Sequence, residues 1–129
     1  MTDAQQAPRP RRVEMSDDGR AITLTYAEEP PVTLTAEFLR VFSPSAEVVG
    51  HAPGQEVLQT GKRNVRIRDI QPTGHYALRF VFDDGHDSGL YTWGYLRFLC
   101  EHRDEYWEGY LRRLEAEGKS RDPEESPAT

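Results

Sequence analysis

The stretch that decides the fold runs from Phe82 to Leu99 and reads FDDGHDSGLYTWGYLRFL. Residues 83–86 have the composition of a hairpin turn, because aspartate side chains hydrogen-bond the local backbone and Gly85 accepts a positive φ. Residues 89–91 then return as a short strand. Thr92 is placed to cap a helix whose apolar stripe predicts burial against a sheet.

The segments on either side predict further short strands and helices. Residues 21–26 alternate apolar and threonine side chains, as in a half-buried antiparallel strand. We predict an α+β fold with a mainly antiparallel sheet of five or six short hairpin strands, a short helix after the second hairpin and a C-terminal helical pair packed on the sheet. Thr35 is expected to cap the first helix, and residues 72–74 are expected to form a turn. The predicted strands are 13–15, 21–26, 32–34, 65–70, 76–82 and 89–91, and the predicted helices are 36–42, 93–101 and 103–117.

Length, charge and cysteine content limit the class of protein. The chain has 129 residues, a net charge of −6 and one cysteine, Cys100. We expect one domain at 11–117, with disordered tails at 1–10 and 118–129, because both ends are polar and contain proline. The negative charge argues against a general nucleic-acid binder, and no run of ~20 apolar residues is available to span a membrane. A lone cysteine is typical of a reduced, cytoplasmic protein.

The longest irregular segment, residues 43–64, is predicted to form a contact surface together with the turn at 83–87. Loops of this length in a small domain are often functional. Backbone N–H groups beside Lys62 and Arg63 would suit an anion or an acidic partner, and the alternative is a solvated loop rim. The candidate binding residues are Ser43, Ser45, His51, Gln55, Lys62, Arg63, Asn64, Asp83, Asp84 and His86.

Two histidines and nearby aspartates suggest a second hypothesis, a metal site. The pattern lacks the regular oxygen series of a calcium loop and the local ligand set of a zinc site. The alternative is a hairpin turn whose acids bond their own backbone. We therefore expect no tightly bound cofactor. The metal hypothesis is weak binding of iron or zinc by His51, His86, Asp84 and Asp87.

The sequence contains no recognisable catalytic motif. Nucleophile elbows and phosphate loops are absent. His102 and Asp104 have the spacing of a non-haem iron pair, but no second histidine follows them. The remaining enzymatic hypothesis is an acid/base pair of His86 and Asp84. We predict that the chain is not an enzyme.

Four blocks of sequence resemble a known family of small bacterial proteins. The blocks are LRVFSPSAE at 39–47, GHAPGQ at 50–55, GKRNV at 61–65 and FDDGHDSG at 82–89. Together they are similar to the gamma-butyrobetaine hydroxylase-like N-terminal domain proteins, long regarded as a domain of unknown function. The resemblance extends over about residues 11–100.

The resemblance implies a site and a cellular context. In eukaryotic carnitine-synthesis hydroxylases, a domain of this kind binds structural zinc through three cysteines and a histidine. The histidine corresponds to His86, but the cysteine positions correspond to Ser43, Ser45 and Val48. The resemblance therefore implies that this zinc site is absent, and the catalytic iron/2-oxoglutarate domain is absent from the sequence as well. Similar domains are attached to P-loop proteins that handle iron–sulfur clusters, which implies an accessory role near iron or iron–sulfur metabolism.

Taken together, these features predict a non-enzymatic accessory domain that binds another protein. The partner is unknown, and we expect neither nucleic acid nor membrane as a partner. The chain is expected to be a monomer or a weak homo-oligomer in the cytoplasm.

Overall fold

The described part of the chain forms six strands in two antiparallel sheets and four helices. The computed structural model describes residues 7–50 and 56–123. The first sheet has the order β1-β2-β3 and the second has the order β4-β5-β6. The elements in chain order are β1 (Arg12–Met15), β2 (Ala21–Thr25), β3 (Val32–Thr35), α1 (Ala36–Val41), α2 (Ala46–Val49), β4 (Ile67–Thr73), β5 (Ala77–Phe82), β6 (Leu90–Thr92), α3 (Trp93–Glu101) and α4 (Arg103–Glu117).

The predicted α+β class and antiparallel pairing are confirmed, but the strands do not form one sheet. Within each sheet, every strand pairs with its neighbour in sequence. β3 leads directly into α1, and the chain reaches β4 only after α2 and a long connection. This interruption removes the hairpin that would have placed β3 beside β4.

The register of the first sheet follows its alternating pattern. Ile22 pairs with Leu34 and Leu24 pairs with Val13, so these apolar side chains line the core face. Ile22, Leu24 and Leu34 are fully buried. Thr23 and Thr33 pair on the opposite face, and their hydroxyl oxygens lie 3.1 Å apart. The period of two therefore fixes which face is buried.

The second sheet differs from the prediction at β4. This strand begins at Ile67 rather than residue 65, contains a bulge before Asp69, and continues to Thr73 through the predicted turn. Pro72 is tolerated because β4 is an edge strand, where a missing N–H interrupts no central ladder. The centre of the sheet is β5, as expected for the most apolar run.

A backbone contact joins the two sheets. The Ile67 amide donates to the Gly19 carbonyl oxygen at 2.7 Å. Gly19 lies in the turn between β1 and β2 with φ of +71°, and a Cβ at this position would lie 2.5 Å from the Ile67 carbonyl oxygen. The approach is too close for any side chain. Gly19 is therefore the position where the first sheet meets the start of the second.

Two threonines begin helices as predicted. Thr35 Oγ1 accepts from the Phe38 amide at 3.0 Å, and Thr92 Oγ1 accepts from the Tyr95 amide at 3.1 Å. α2 was not predicted; Ser45 caps it by accepting from the Glu47 amide at 3.3 Å. These bonds satisfy amides that lack a partner within the helix.

The predicted C-terminal helical pair is present, and its two helices pack in different places. Leu96 and Leu99 of α3 are fully buried in the main core. Tyr110 and Leu114 of α4 form a smaller cluster with Val41 of α1. None of the helices in residues 7–50 and 56–123 is long and apolar enough to cross a membrane.

Residues near both ends of the described chain contact the domain. Residues 118–123, placed in a disordered tail, include backbone contacts: Ser120 and Arg121 carbonyls accept from the Gly61 and Arg63 amides at 3.1 and 3.0 Å. Near the other end, the Arg9 guanidinium lies 4.8 Å from the centre of the Trp93 ring.

Candidate functional site

His86 is buried in the hairpin turn and binds the α1–α2 connection. His86 is 6% exposed. The Nε2 atom lies 2.8 Å from Ser43 Oγ, and the Nδ1 atom lies 3.4 Å from a carboxylate oxygen of Glu47. Ser43 is 1% exposed, and its hydroxyl accepts from the Ser45 amide at 3.2 Å. The imidazole therefore joins the turn to the start of α2.

Asp84 is the charged centre of the same turn. Its Oδ2 atom accepts from Arg40 Nε at 2.9 Å and from Lys62 Nζ at 2.7 Å, and its Oδ1 accepts from the His86 amide at 3.2 Å. Burial opposes ionisation of Asp84. The hydrogen bonds from Lys62 and the His86 amide, with the charge of Arg40, outweigh it and lower the Asp84 pKa to about 2. Asp84 is therefore an anion at neutral pH.

The electrostatics favour a neutral His86. Burial, followed by the positive charge of Arg40, lowers the His86 pKa below its ordinary value of 6.5, although Glu47 and Asp84 oppose the shift. A neutral imidazole donates through one ring nitrogen and accepts through the other. This matches the two partners of the ring, one hydroxyl and one carboxylate.

Two further contacts hold the turn against α1 and α2. The Ser45 and Ser88 hydroxyl oxygens lie 2.7 Å apart. Tyr91, fully buried on β6, donates from its hydroxyl to the Leu39 carbonyl oxygen at 2.5 Å. The hairpin and the α1–α2 connection therefore form one packed unit.

Ser43, His86 and Glu47 are the residue types of a catalytic triad with a serine nucleophile. Their arrangement supports the fold and does not expose the serine to a substrate. Ser43 Oγ is inaccessible, and the carboxylate of Glu47 is exposed and 3.4 Å from the ring nitrogen. A nucleophile must reach a substrate as well as its base. The predicted pairing of His86 with Asp84 is also not observed through the ring, because Asp84 binds the His86 amide.

The remaining predicted binding residues that the structure describes do not form one surface; they lie at separate places and have different partners. Lys62 pairs with Asp84, and Arg63 pairs with Asp122. Asp83 accepts from the Arg66 amide at 3.1 Å, while Asn64 and Asp87 are exposed. His51 and Gln55 lie outside the described residues. Ser43, Ser45 and His86 are buried, so the structure places them inside the fold instead of on an open surface.

The residues around His86 do not fit a zinc ion. Ser43 and Ser45 supply hydroxyls and Val48 supplies an alkyl group, whereas structural zinc takes thiolates and imidazoles. In residues 7–50 and 56–123, no group of three or more histidine, cysteine, aspartate or glutamate side chains could hold a metal ion. Joint ligation by His51 and His86 stays a prediction, because His51 is outside those ranges.

An open groove between α4 and the α2 region was not predicted. Its volume is about 580 Å³. Val49 and Val57, 45% and 52% exposed, lie along one wall. The lining residues include Gly109 of α4 and four aromatic side chains: Phe42, which follows α1, Tyr95 of α3, and Tyr106 and Tyr110 of α4. We call this cavity the α4 groove.

Hydrogen bonds to backbone carbonyls hold the segment around Val57 against α4 and α2. Tyr110 donates from its hydroxyl to the Gln59 carbonyl at 2.7 Å, and Arg113 donates to the Glu56 carbonyl at 3.0 Å. The Val57 amide donates to the Val48 carbonyl at 2.8 Å. Two signals for the groove were present in the sequence: apolar Val57 and Leu58 in an irregular segment, and Gly109 in the middle of a helix.

The comparisons with known proteins agree with the fold. The sequence matches the family described as gamma-butyrobetaine hydroxylase-like, N-terminal, over residues 13–97. It is similar to a protein with a solution NMR structure, at 49% identity and a TM-score of 0.80, covering 95% of this chain and 97% of that chain. A second protein with an NMR structure has 43% identity and a TM-score of 0.78, covering 100% of this chain and 96% of that chain.

A crystal structure extends the similarity to a protein of unknown function. That protein, from Acidithiobacillus ferrooxidans, belongs to the DUF971 family and is 34% identical, with a TM-score of 0.57, covering 76% of this chain and 97% of that chain. None of the curated proteins matches this chain.

Proposed function

This chain belongs to the gamma-butyrobetaine hydroxylase-like N-terminal family, and we propose that it is a non-enzymatic accessory domain that binds another protein through the α4 groove. The observation that carries the proposal is an open groove with an aromatic lining and two half-exposed valines. Apolar surface of this kind, bordered by charged side chains, is typical of a protein-binding site.

The state of the polar residues supports the same proposal. His86 binds Ser43, and Asp84 binds Arg40 and Lys62. These contacts hold the hairpin against α1 and the α1–α2 connection. They stabilise the wall of the groove, and the burial of His86 keeps its imidazole from acting as an acid/base group on a substrate. For the partner, we propose a protein of iron or iron–sulfur metabolism; support for this class comes from the sequence resemblance.

Charge substitutions on the groove wall test the proposal. Val57→Asp and Val49→Asp place a carboxylate on exposed apolar surface, so they should weaken partner binding with little effect on folding. Met15→Asp is the matched control, because Met15 is 40% exposed on β1, outside the groove lining. The measurement is affinity capture from cell extract with quantitative mass spectrometry.

The expected result is a set of proteins captured by the wild type and Met15→Asp but lost from both valine variants. Circular dichroism and thermal unfolding check that all four proteins are folded. Equal capture by folded wild type and valine variants would exclude the groove as the binding surface.

Weak iron or zinc binding is the alternative function. Metal content of untagged protein, purified without chelators and compared with His86→Ala, tests it. Near-stoichiometric metal that disappears in the variant would support a site containing His86. The same low content in both proteins would count against it.

A further inference from the structure

A buried carboxylate of α1 binds an arginine from the end of the chain. Glu37 is 6% exposed. Arg121 donates to its two carboxylate oxygens, from Nε at 2.8 Å and from a terminal nitrogen at 2.7 Å. A buried carboxylate requires a cationic or hydrogen-bonding partner, and two parallel bonds match the planar fork of a guanidinium. The Glu37 position therefore selects arginine over lysine.

An aromatic side chain completes the guanidinium site. The Arg121 guanidinium carbon lies 4.9 Å from the centre of the Trp107 ring. A cavity of about 370 Å³ lies beside this pair and is lined by both side chains, together with Thr33, Thr35, Phe38, Arg103 and Asp104. A tryptophan face and a buried carboxylate together form a binding site for a planar cation.

The segment that carries Arg121 is held by backbone hydrogen bonds to the 61–63 loop. The Gly61 amide donates to the Ser120 carbonyl at 3.1 Å, and the Arg63 amide donates to the Arg121 carbonyl at 3.0 Å. The Arg63 side chain pairs with the Asp122 carboxylate. Backbone pairing gives affinity in such arrangements and side-chain sites give specificity. Here the side-chain contacts are made by an arginine and by the aspartate that directly follows it.

The contacts of this segment resemble those of a bound ligand. Arg121 pairs with Glu37 of α1, and Asp122 pairs with Arg63. Two carbonyls of the segment accept from amides of the 61–63 loop. The segment follows Gly118, at the end of α4. We propose that the Glu37–Trp107 site recognises an Arg-Asp segment of a partner protein. The chain's own residues 119–123 occupy the site until the partner's segment replaces them. This site is separate from the α4 groove, so a negative result for one proposal does not affect the other.

Peptide binding to the full-length chain tests the proposal. The probe is a fluorescent peptide, Lys-Ser-Arg-Asp-Pro, which copies residues 119–123. It should bind Arg121→Ala at least about tenfold more tightly than the wild type, because the internal segment no longer competes with full strength. Arg112→Ala, which removes an exposed α4 arginine, is the matched control and should bind like the wild type.

Peptide chemistry distinguishes this site from general electrostatic attraction. The version of the peptide with Arg121→Lys should bind Arg121→Ala about tenfold more weakly, because an ammonium group cannot make the paired bonds to Glu37. Val57→Asp should not change peptide binding, since Val57 lies in the other site. Equal binding of both peptides, or no gain in folded Arg121→Ala, would overturn the proposal.

Hydrogen exchange of the wild type provides a test that needs no variant. The Gly61 and Arg63 amides should exchange at least about tenfold faster than the Phe82 amide, which bonds the His86 carbonyl, because they are protected only while the segment is bound. Exchange of the Gly61 and Arg63 amides only through global unfolding would show that the segment is not exchangeable and would overturn the proposal.

Discussion

A single imidazole connects the hairpin turn to the α1–α2 connection, and its burial makes it sensitive to acid. His86 uses Nε2 for Ser43 and Nδ1 for Glu47. Its pKa is lowered in the folded protein, first by burial and then by Arg40. Below pH 6.5 the unfolded chain therefore binds more protons than the folded chain, and protonation favours unfolding.

We expect the contribution of His86 to stability to be complete above pH 6.5 and to be lost as the pH falls toward the lowered pKa. Urea unfolding at pH ~7.5 and pH ~5 measures this. His86→Asn should show a smaller loss between the two pH values than the wild type. His75→Asn, at an exposed histidine, should retain the wild-type loss. Equal losses in all three proteins would contradict the assignment of His86 as a buried neutral group.

Asp84 is the partner on which two cations depend. Asp84→Asn removes the charge that faces Arg40 and Lys62, and Arg40 is buried. We expect a loss of about 1–3 kcal/mol in the free energy of unfolding, because a buried cation is left with a weaker partner. Asp87→Asn, in the same turn but exposed, should change it by less than about 0.5 kcal/mol. Similar effects of the two substitutions in urea unfolding would show that the Asp84 pairs do not stabilise the fold.

At the scale of the elements, local chemistry could be predicted and tertiary environment could not. Thr35 and Thr92 act as helix caps because capping needs only a hydroxyl and the next few amides. α2 has four residues, too few to show a period of 3.6. The connection that leads into α2 packs against the hairpin. Ser43 and Ser45, which were predicted to lie on the surface, are therefore buried.

Gly109 interrupts the helix propensity of α4 at the α4 groove. A Cβ at this position would meet only the end of the Arg112 side chain, at 3.9 Å. Gly109→Ala should therefore raise the free energy of unfolding by about 0.5–1 kcal/mol. Thermal unfolding tests this. A destabilised variant would show that the helix backbone is already closely covered.

The Gly109→Ala variant also bears on partner binding. An added methyl narrows the α4 groove, so the same proteins lost from Val57→Asp should be captured less well. A variant that is more stable and captures less would link the glycine to function. Gly118→Ala, outside the groove lining, provides the comparison for capture.

For the whole molecule, the sequence predicts the class of fold better than the arrangement of its layers. Alternation in residues 21–26 predicts a strand with one buried face, but the division into two sheets depends on the path between β3 and β4. The polar C-terminal segment was predicted to be disordered from its composition. Composition does not reveal that Arg121 pairs with the buried carboxylate of Glu37. Long-range pairs of this kind have no local signal.

The contact between the two sheets is expected to be one of the least tolerant positions. Gly19→Ala combines a positive φ with a clash against the Ile67 backbone, and should reduce the free energy of unfolding by about 3–4 kcal/mol. Gly85→Ala is the matched control, since Gly85 has φ of +91° but no atom within 4 Å of the added Cβ. Its loss should be about 1 kcal/mol, the cost of the backbone conformation alone. Equal losses in urea unfolding would show that the sheets can separate at Gly19 without cost.

The pairing of strands only with their sequence neighbours has a consequence for the order of folding. Each hairpin closes a short loop, so little chain entropy is lost before its hydrogen bonds form. A chain leaving the ribosome contains every strand of the first sheet, and all of α1, once residue 41 has emerged. The second sheet must wait for β6. Pulsed hydrogen exchange during refolding should accordingly protect the amides of β2 no later than those of β5. The nascent segment up to residue 41 can begin to order while the rest is still being translated.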